Sequence, residues 1–112
     1  TVHILDALQT NDVPLNLQCQ SKDDDFGIKT PKVGDDFHLN VFGSTRFYCH
    51  FWLGNYGSAK TQFFDVFNKQ ISQGCGRING NGNDYECFWR VQEDGFFFAP
   101  HNPYSYTKKY DW

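Results

Sequence analysis

Apolar and polar residues alternate along most of this chain with a period of two. The alternation is clearest in residues 15–20, 37–41, 46–53 and 86–91. Because successive side chains of a strand point to opposite faces, this pattern predicts half-buried β-strands. The predicted strands cover residues 2–5, 15–20, 26–30, 37–41, 46–53, 60–67, 86–91, 96–98 and 104–112. Turn signals separate them, and no amphipathic helix of ten residues appears, so we expect an all-β fold, an antiparallel β-sandwich of about eight strands.

The composition fits one compact globular domain over residues 1–112. Hydrophobic residues make up 39% and charged residues 21%, which excludes a disordered chain. Aromatic residues reach 19%, and their rings favour strands and bury large areas. No apolar run approaches the roughly 18 residues that a membrane span needs, so we expect no membrane insertion. We also expect a monomer.

The charge balance argues against nucleic acid as the partner. The formal net charge is −3, and the longest basic cluster is Lys108-Lys109. Neutralising phosphates requires clustered lysine and arginine, which this chain lacks.

Four cysteines, Cys19, Cys49, Cys75 and Cys87, give the even count of a two-disulfide framework. Their spacing contains no Cys-x-x-Cys pair, which disfavours zinc and redox motifs. Disulfides persist in oxidising compartments, so the framework predicts secretion. Three connectivities are possible. We expect Cys19 to pair with Cys87 and Cys49 with Cys75, because Cys19 and Cys87 both fall mid-strand on inward faces.

Residues 68–85 break the strand pattern. The segment is polar, rich in Gly and Asn, and too long for a hairpin turn, and such loops are usually functional or mobile. Residues 79–84 resemble one calcium-binding repeat, but such repeats need stacked copies, so we expect no metal. We expect instead a mobile partner-contact segment whose contact residues are Arg77, Ile78, Asn79, Asn81, Asn83 and Asp84.

No constellation of a catalytic site or cofactor site is evident. Cys49 and His50 are adjacent but face opposite sides of a strand, which makes a poor nucleophile and base pair. His3, His38 and His101 show no metal-ligand spacing. We therefore expect no enzyme and no cofactor.

Four aromatic residues are candidates for the outer face of one sheet, namely Tyr48, Trp52, Tyr56 and Phe88. Two interpretations stay open for them. Either a second layer, a loop or a terminal strand covers the rings, or the rings form an exposed platform for a sugar or a protein partner.

Three segments in this order resemble the plant self-incompatibility S-protein family. They are Cys19-Gln-Ser-Lys-Asp-Asp-Asp-Phe-Gly27, the run from Phe42 to Leu53, and Cys87-Phe-Trp-Arg-Val-Gln-Glu-Asp-Gly95. The motif positions carried over include Asp23, Asp24, Asp25, Gly27, Trp89 and Gly95. The resemblance implies a turn role for the three aspartates rather than a metal site. One departure is the wide spacing of Cys75 and Cys87, which are often closer in the family.

The resemblance also implies a function. The family consists of small secreted plant proteins, and its founding members are stigma signals that trigger rejection of self pollen through a pollen membrane receptor. We therefore expect a secreted plant signalling protein that binds a cell-surface receptor. The alternative is an extracellular carbohydrate-binding module using exposed aromatics, and a third candidate is a small hydrolase or inhibitor.

Overall fold

Two β-sheets pack face to face in the computed structural model, which describes residues 1–41, 45–57, 60–77, 85–100 and 102–112. Ten strands and one short helix occur in these residues. They are β1 (Val2–Asp6), β2 (Leu15–Ser21), β3 (Asp25–Lys29), β4 (Asp36–Leu39), β5 (Phe47–Leu53), β6 (Thr61–Phe67), α1 (Lys69–Gly74), β7 (Gly76–Arg77), β8 (Tyr85–Gln92), β9 (Gly95–Ala99) and β10 (Thr107–Tyr110). The predicted all-β fold is confirmed.

The larger sheet has the order β10-β9-β8-β1-β4, with β7 added at the start of β8, and the smaller sheet has the order β3-β2-β5-β6. Neighbouring strands run antiparallel, with one exception among the described pairings. β1 lies parallel to β8, with Val2 opposite Cys87 and Asp6 opposite Val91. A parallel pair needs a long crossover, and here most of the chain lies between the two strands. The predicted antiparallel β-sandwich is confirmed, and this one parallel ladder is a feature that the sequence pattern did not predict.

Aromatic rings from both sheets meet in the core. The ring centroid of Phe51 in the smaller sheet lies 5.0 Å from that of Phe96 in the larger one, and the Phe64 and Trp89 ring centroids are also 5.0 Å apart. The Trp89 indole Nε1 donates to the Val66 carbonyl oxygen at 3.0 Å, so one hydrogen bond also joins the sheets. Fully burying a large apolar side chain contributes roughly 1.5–3 kcal/mol, so each ring buried between the sheets stabilises the fold by about that amount.

The segment predicted as a long polar loop begins with a helix. The Asn68 side chain caps α1 by accepting from the Ile71 backbone N–H at 2.8 Å, which satisfies one of the free donors of the first turn. Six residues are too few for a helical period to stand out in a sequence, and for this reason the pattern missed α1. At the C-terminus the predicted strand 104–112 shortens to Thr107–Tyr110.

All four cysteines form disulfides, but the predicted pairing is wrong. The structure joins Cys19 to Cys49 and Cys75 to Cys87. Cys19 and Cys49 face each other directly across β2 and β5, with their Cα atoms 4.1 Å apart. Inward orientation alone therefore did not decide the pairing, because Cys19 has its neighbour within its own sheet while Cys87 lies on the opposite one.

Candidate functional site

The residues predicted to contact a partner follow β7. Arg77 is the last residue of that strand, where its backbone pairs with Tyr85. The other five, Ile78, Asn79, Asn81, Asn83 and Asp84, lie outside the described residues. We call residues 78–84 the connecting segment, since they join β7 to β8. The structure thus defines where this segment leaves and rejoins the sheet.

Both ends of the connecting segment are fixed to the sandwich. β7 pairs with β8 through Gly76 opposite Glu86 and Arg77 opposite Tyr85. The Cys75–Cys87 disulfide joins the residue directly before these pairs to the residue directly after them, with a Cα separation of 5.2 Å. The Gly76 N–H also donates to the Pro100 carbonyl oxygen at 2.8 Å. A covalent and hydrogen-bonded base of this kind limits the entropy lost when a loop binds a partner.

The chain start strengthens the same base. The Thr1 backbone nitrogen donates to the Tyr85 carbonyl oxygen, and the Cys87 N–H donates to the Thr1 carbonyl oxygen at 3.0 Å. These bonds continue the parallel β1–β8 ladder to the point where the connecting segment ends. Residue 1 is therefore part of the scaffold that holds this segment.

The acidic motif forms a turn between β2 and β3. The Ser21 N–H donates to the Asp24 carbonyl oxygen at 2.8 Å. The Asp25 carboxylate accepts from the Gly27 N–H at 2.9 Å and from the amides of Gln18 and Gln20 at 3.0 and 3.1 Å. These bonds, the Gly27 N–H first, lower the pKa of Asp25 below its usual value. The implied turn role of the motif agrees with this geometry.

Two other family positions are structural in this chain. Trp89 is buried and makes the hydrogen bond between the sheets described above. Gly95 begins β9 with a φ of +142°, and a Cβ atom there would overlap the Tyr110 carbonyl oxygen on β10. Only glycine suits that position, because other residues rarely adopt such a φ.

A second surface is the outer face of the smaller sheet, which we call the ring face. Its side chains form three rows across the strands, as the register places them. The rows are Asp25, Gln20, Tyr48 and Asp65; then Ile28, Gln18, His50 and Phe63; then Asn16, Trp52 and Thr61. Tyr56, from the turn after β5, packs edge-on against Trp52 with ring centroids 5.2 Å apart.

The rings of this face differ in exposure. Trp52 is 4% exposed, because Tyr56 and His50 pack against it, so the covered interpretation is correct for Trp52. Tyr56 and Phe63 are 74% and 54% exposed. Phe63 also packs against Tyr48 at a centroid distance of 5.5 Å. The result is a rigid cluster with two rings open to solvent.

Hydrogen bonds order the polar side chains between the rings. Thr61 Oγ1 donates to the Phe51 carbonyl oxygen at 3.1 Å and therefore accepts from His50 Nε2 at 2.8 Å. The proton of a neutral His50 thus lies on Nε2, and Nδ1 is an acceptor. Arg46 donates to Asp65 at 2.8 Å and lies over the Tyr48 ring at 4.5 Å. The face therefore combines open rings with fixed hydrogen-bond acceptors.

Phe88 does not belong to the ring face. It lies on the larger sheet, where its ring stacks on the His3 ring with the two centroids 4.8 Å apart. His3 Nδ1 lies 2.7 Å from Asp36 and Nε2 lies 2.8 Å from Glu86. Each ring nitrogen of His3 therefore lies within hydrogen-bond distance of one carboxylate. The sequence pattern missed this cluster, because it joins three strands that are distant in the chain.

The remaining candidates that lie in the described part of the chain do not share a site. Cys49 is buried in its disulfide while His50 points to the ring face, so the predicted opposite orientation is correct. His38 lies opposite His3 in the β1–β4 ladder, and His101 lies outside the described residues. In the described parts of the chain, no helix is long and apolar enough to span a membrane.

Comparison with known proteins links the chain to one family. The family model described as plant self-incompatibility protein S1 matches residues 1–112. S-protein homolog 3 of Arabidopsis thaliana is 27% identical over 103 residues, which cover 88% of this chain and 63% of that protein. S-protein homolog 5 of the same plant is 32% identical over 88 residues, covering 73% and 58%. The chain thus spans about three fifths of the length of these relatives. No solved structure matches it significantly.

Proposed function

Because the chain belongs to the plant self-incompatibility protein S1 family, we propose that it acts as a secreted extracellular signalling protein that binds a receptor on plant cells. In this proposal residues 1–112 form one domain, and the receptor contacts are Arg77, Ile78, Asn79, Asn81, Asn83 and Asp84. Two buried disulfides support secretion, since such bonds persist in oxidising compartments.

The main support for the proposal is that both ends of the connecting segment are anchored. The Cys75–Cys87 disulfide and the β7–β8 pairs hold both of its ends on the rigid sandwich. Its Asn side chains offer both donors and acceptors, and Ile78 offers one apolar anchor. Recognition domains commonly place their contact residues on such a loop above a rigid scaffold.

Binding of labelled protein to intact plant cells tests the proposal. In the variant, a Gly-Ser linker of equal length replaces residues 78–84, while β7, β8 and the Cys75–Cys87 disulfide stay intact. We expect cell binding to weaken by at least about tenfold, since a few residues usually dominate an interface. The melting temperature should change little. Unchanged cell binding by a folded linker variant would place the receptor site elsewhere.

The ring face favours a second candidate function, carbohydrate binding. Phe63 and Tyr56 are open to solvent, and the Asp25 carboxylate and the Gln18 and Gln20 side chains lie on the same face. Sugar rings stack their C–H groups on aromatic faces, while their hydroxyl groups donate to such oxygens. The low pKa of Asp25 keeps this acceptor ionised.

Phe63→Thr tests the second candidate, because threonine removes the ring while its β-branched side chain still favours a strand. The matched control is Tyr104→Thr, which removes an 86% exposed ring between β9 and β10. On an array of cell-wall glycans, a carbohydrate-binding module loses signal with Phe63→Thr and keeps it with Tyr104→Thr. A receptor ligand shows no glycan signal, and its cell binding responds to the linker variant alone.

A further inference from the structure

A groove opens at one end of the sandwich, between α1 and the last two strands. We call it the edge groove. Its volume is about 430 Å³, within the range of small-molecule sites. The residues that define its walls are Ile71 and Gly74 on α1, Trp89 on β8, Phe98 on β9, and Lys109 and Tyr110 on β10. None of these residues belongs to the ring face or to the connecting segment.

Phe98 and Tyr110 form the floor of the edge groove, and the buried Trp89 ring packs against both. The Trp89 ring lies 4.7 Å from Phe98 and 6.3 Å from Tyr110, to which it is nearly parallel at 19°. The Trp89 ring is 3% exposed and its N–H is bonded to the Val66 carbonyl oxygen, so it supports the other two rings rather than presenting a surface of its own. Such a floor suits a flat aromatic group, because offset and edge-on ring contacts are favourable.

A β-bulge adds one positive charge to this apolar site. On β10, Lys108 pairs with Phe97 and Tyr110 pairs with Phe96, so Lys109 is an extra residue in the ladder. In a regular strand Lys109 and Tyr110 would face opposite sides, but both line the edge groove here. The bulge thus brings an ammonium group and a ring to the same side of the strand.

The two neighbouring lysines differ in their partners. Lys108 forms an ion pair with Asp111 at 2.5 Å. Among the described residues, no carboxylate forms an ion pair with Lys109. An ammonium group beside an apolar floor favours an anionic group on the ligand, since charge-assisted hydrogen bonds are stronger than neutral ones.

We propose that the edge groove binds a small aromatic carboxylate. Its ring would lie on Phe98 and Tyr110, and its carboxylate would accept a hydrogen bond from Lys109. This site is independent of the receptor proposal, because it uses neither the connecting segment nor the ring face. Neutral aromatic compounds fit the floor but leave the ammonium group without a partner.

Titration with phenylacetate and with phenylacetamide, its neutral analogue, tests the site. The Trp89 indole signal in a proton–nitrogen NMR spectrum reports binding in the full chain. We expect saturable shifts with phenylacetate and an affinity about tenfold lower for phenylacetamide, the effect of one charged hydrogen bond. Absence of a saturable shift with phenylacetate overturns the proposal.

Three variants complete the test. Lys109→Gln should abolish the preference for the carboxylate, whereas Lys108→Gln, the matched control, should retain it. Gly74→Leu should block both compounds, because Gly74 lines the groove and a leucine side chain would fill part of it. The backbone tolerates the change, since the added Cβ atom would lie 3.9 Å from Pro100 Cβ, an ordinary contact distance. The three positions are exposed, so the variants should fold. An equal preference in the two lysine variants, or binding unchanged by Gly74→Leu, also overturns the proposal.

Discussion

Removing each disulfide separately should destabilise the sandwich by different amounts. One double variant carries Cys19→Ala and Cys49→Ala, and the other carries Cys75→Ala and Cys87→Ala. The first bridge spans 30 residues of sequence and the second spans 12. Chain-entropy estimates for such loops give about 3.6 and about 2.8 kcal/mol of stabilisation.

Packing adds a similar loss to both variants. All four cysteines are at most 5% exposed, so each alanine removes one buried sulfur atom, worth roughly 1 kcal/mol. The total loss is therefore about 5–6 kcal/mol for each pair, and the difference of about 0.8 kcal/mol comes from loop length. A chain of this size typically has a free energy of unfolding of roughly 6–17 kcal/mol, so the variant lacking both bridges should be unfolded or only marginally stable.

Urea unfolding followed by circular dichroism measures these losses. The free energy of unfolding of each variant is taken from its own midpoint and measured m value, because removing a bridge lets the unfolded chain expand and so changes m. A loss for the Cys75–Cys87 variant equal to or larger than that for the Cys19–Cys49 variant would refute the loop-length reasoning.

The pairing itself is tested by a tryptic map of the unreduced protein. Cleavage after lysine and arginine should leave residues 1–22 joined to residues 47–60, and residues 70–77 joined to residues 78–90. A fragment that joins residues 1–22 to residues 78–90 would contradict the disulfides of the structure.

Two further predictions concern single positions. Gly95→Ala should lower the free energy of unfolding by roughly 1–3 kcal/mol for its backbone conformation and by a similar amount for overlap with Tyr110. Gly34→Ala has a φ of +91° but open space around the added Cβ, so it should lose the first amount alone. Thermal melts that show equal losses for the two variants would contradict this. Burial, opposed by the Leu8 N–H bond, raises the pKa of Asp6 above 3.8. The folded state therefore favours the protonated carboxyl group, and the contribution of Asp6 to the free energy of unfolding is most favourable at low pH and is lost as pH rises through the raised pKa. Relative to Asp6→Asn, the natural chain should therefore gain stability as pH falls towards 4 in urea melts, and a constant difference across pH would refute the shift.

The strands were predictable because each depends on local alternation. β2, β5 and β8 show one inward residue in two, and their bounds lie within two residues of the predicted ones. The inward position of Cys19, Cys49 and Cys87 was also predictable, since it follows from the same period. The fold class and the core residues were therefore predictable from the sequence.

The pairing of distant strands was not predictable from local pattern. The parallel β1–β8 ladder decides that His3 meets Phe88, and the β2–β5 register decides that Cys19 meets Cys49. Both are global properties that a single sequence does not display. The bulge at Lys109 shifts the register by one residue, so the sequence pattern could not predict that Lys109 and Tyr110 line the same groove.

Binding to plant cells before and after brief protease treatment of the cell surface tests the central claim most directly. A signalling protein with a receptor should show saturable binding to untreated cells, and protease treatment should abolish it because the receptor is cleaved. Saturable binding that survives complete removal of surface protein would contradict the receptor account and support binding to cell-wall carbohydrate.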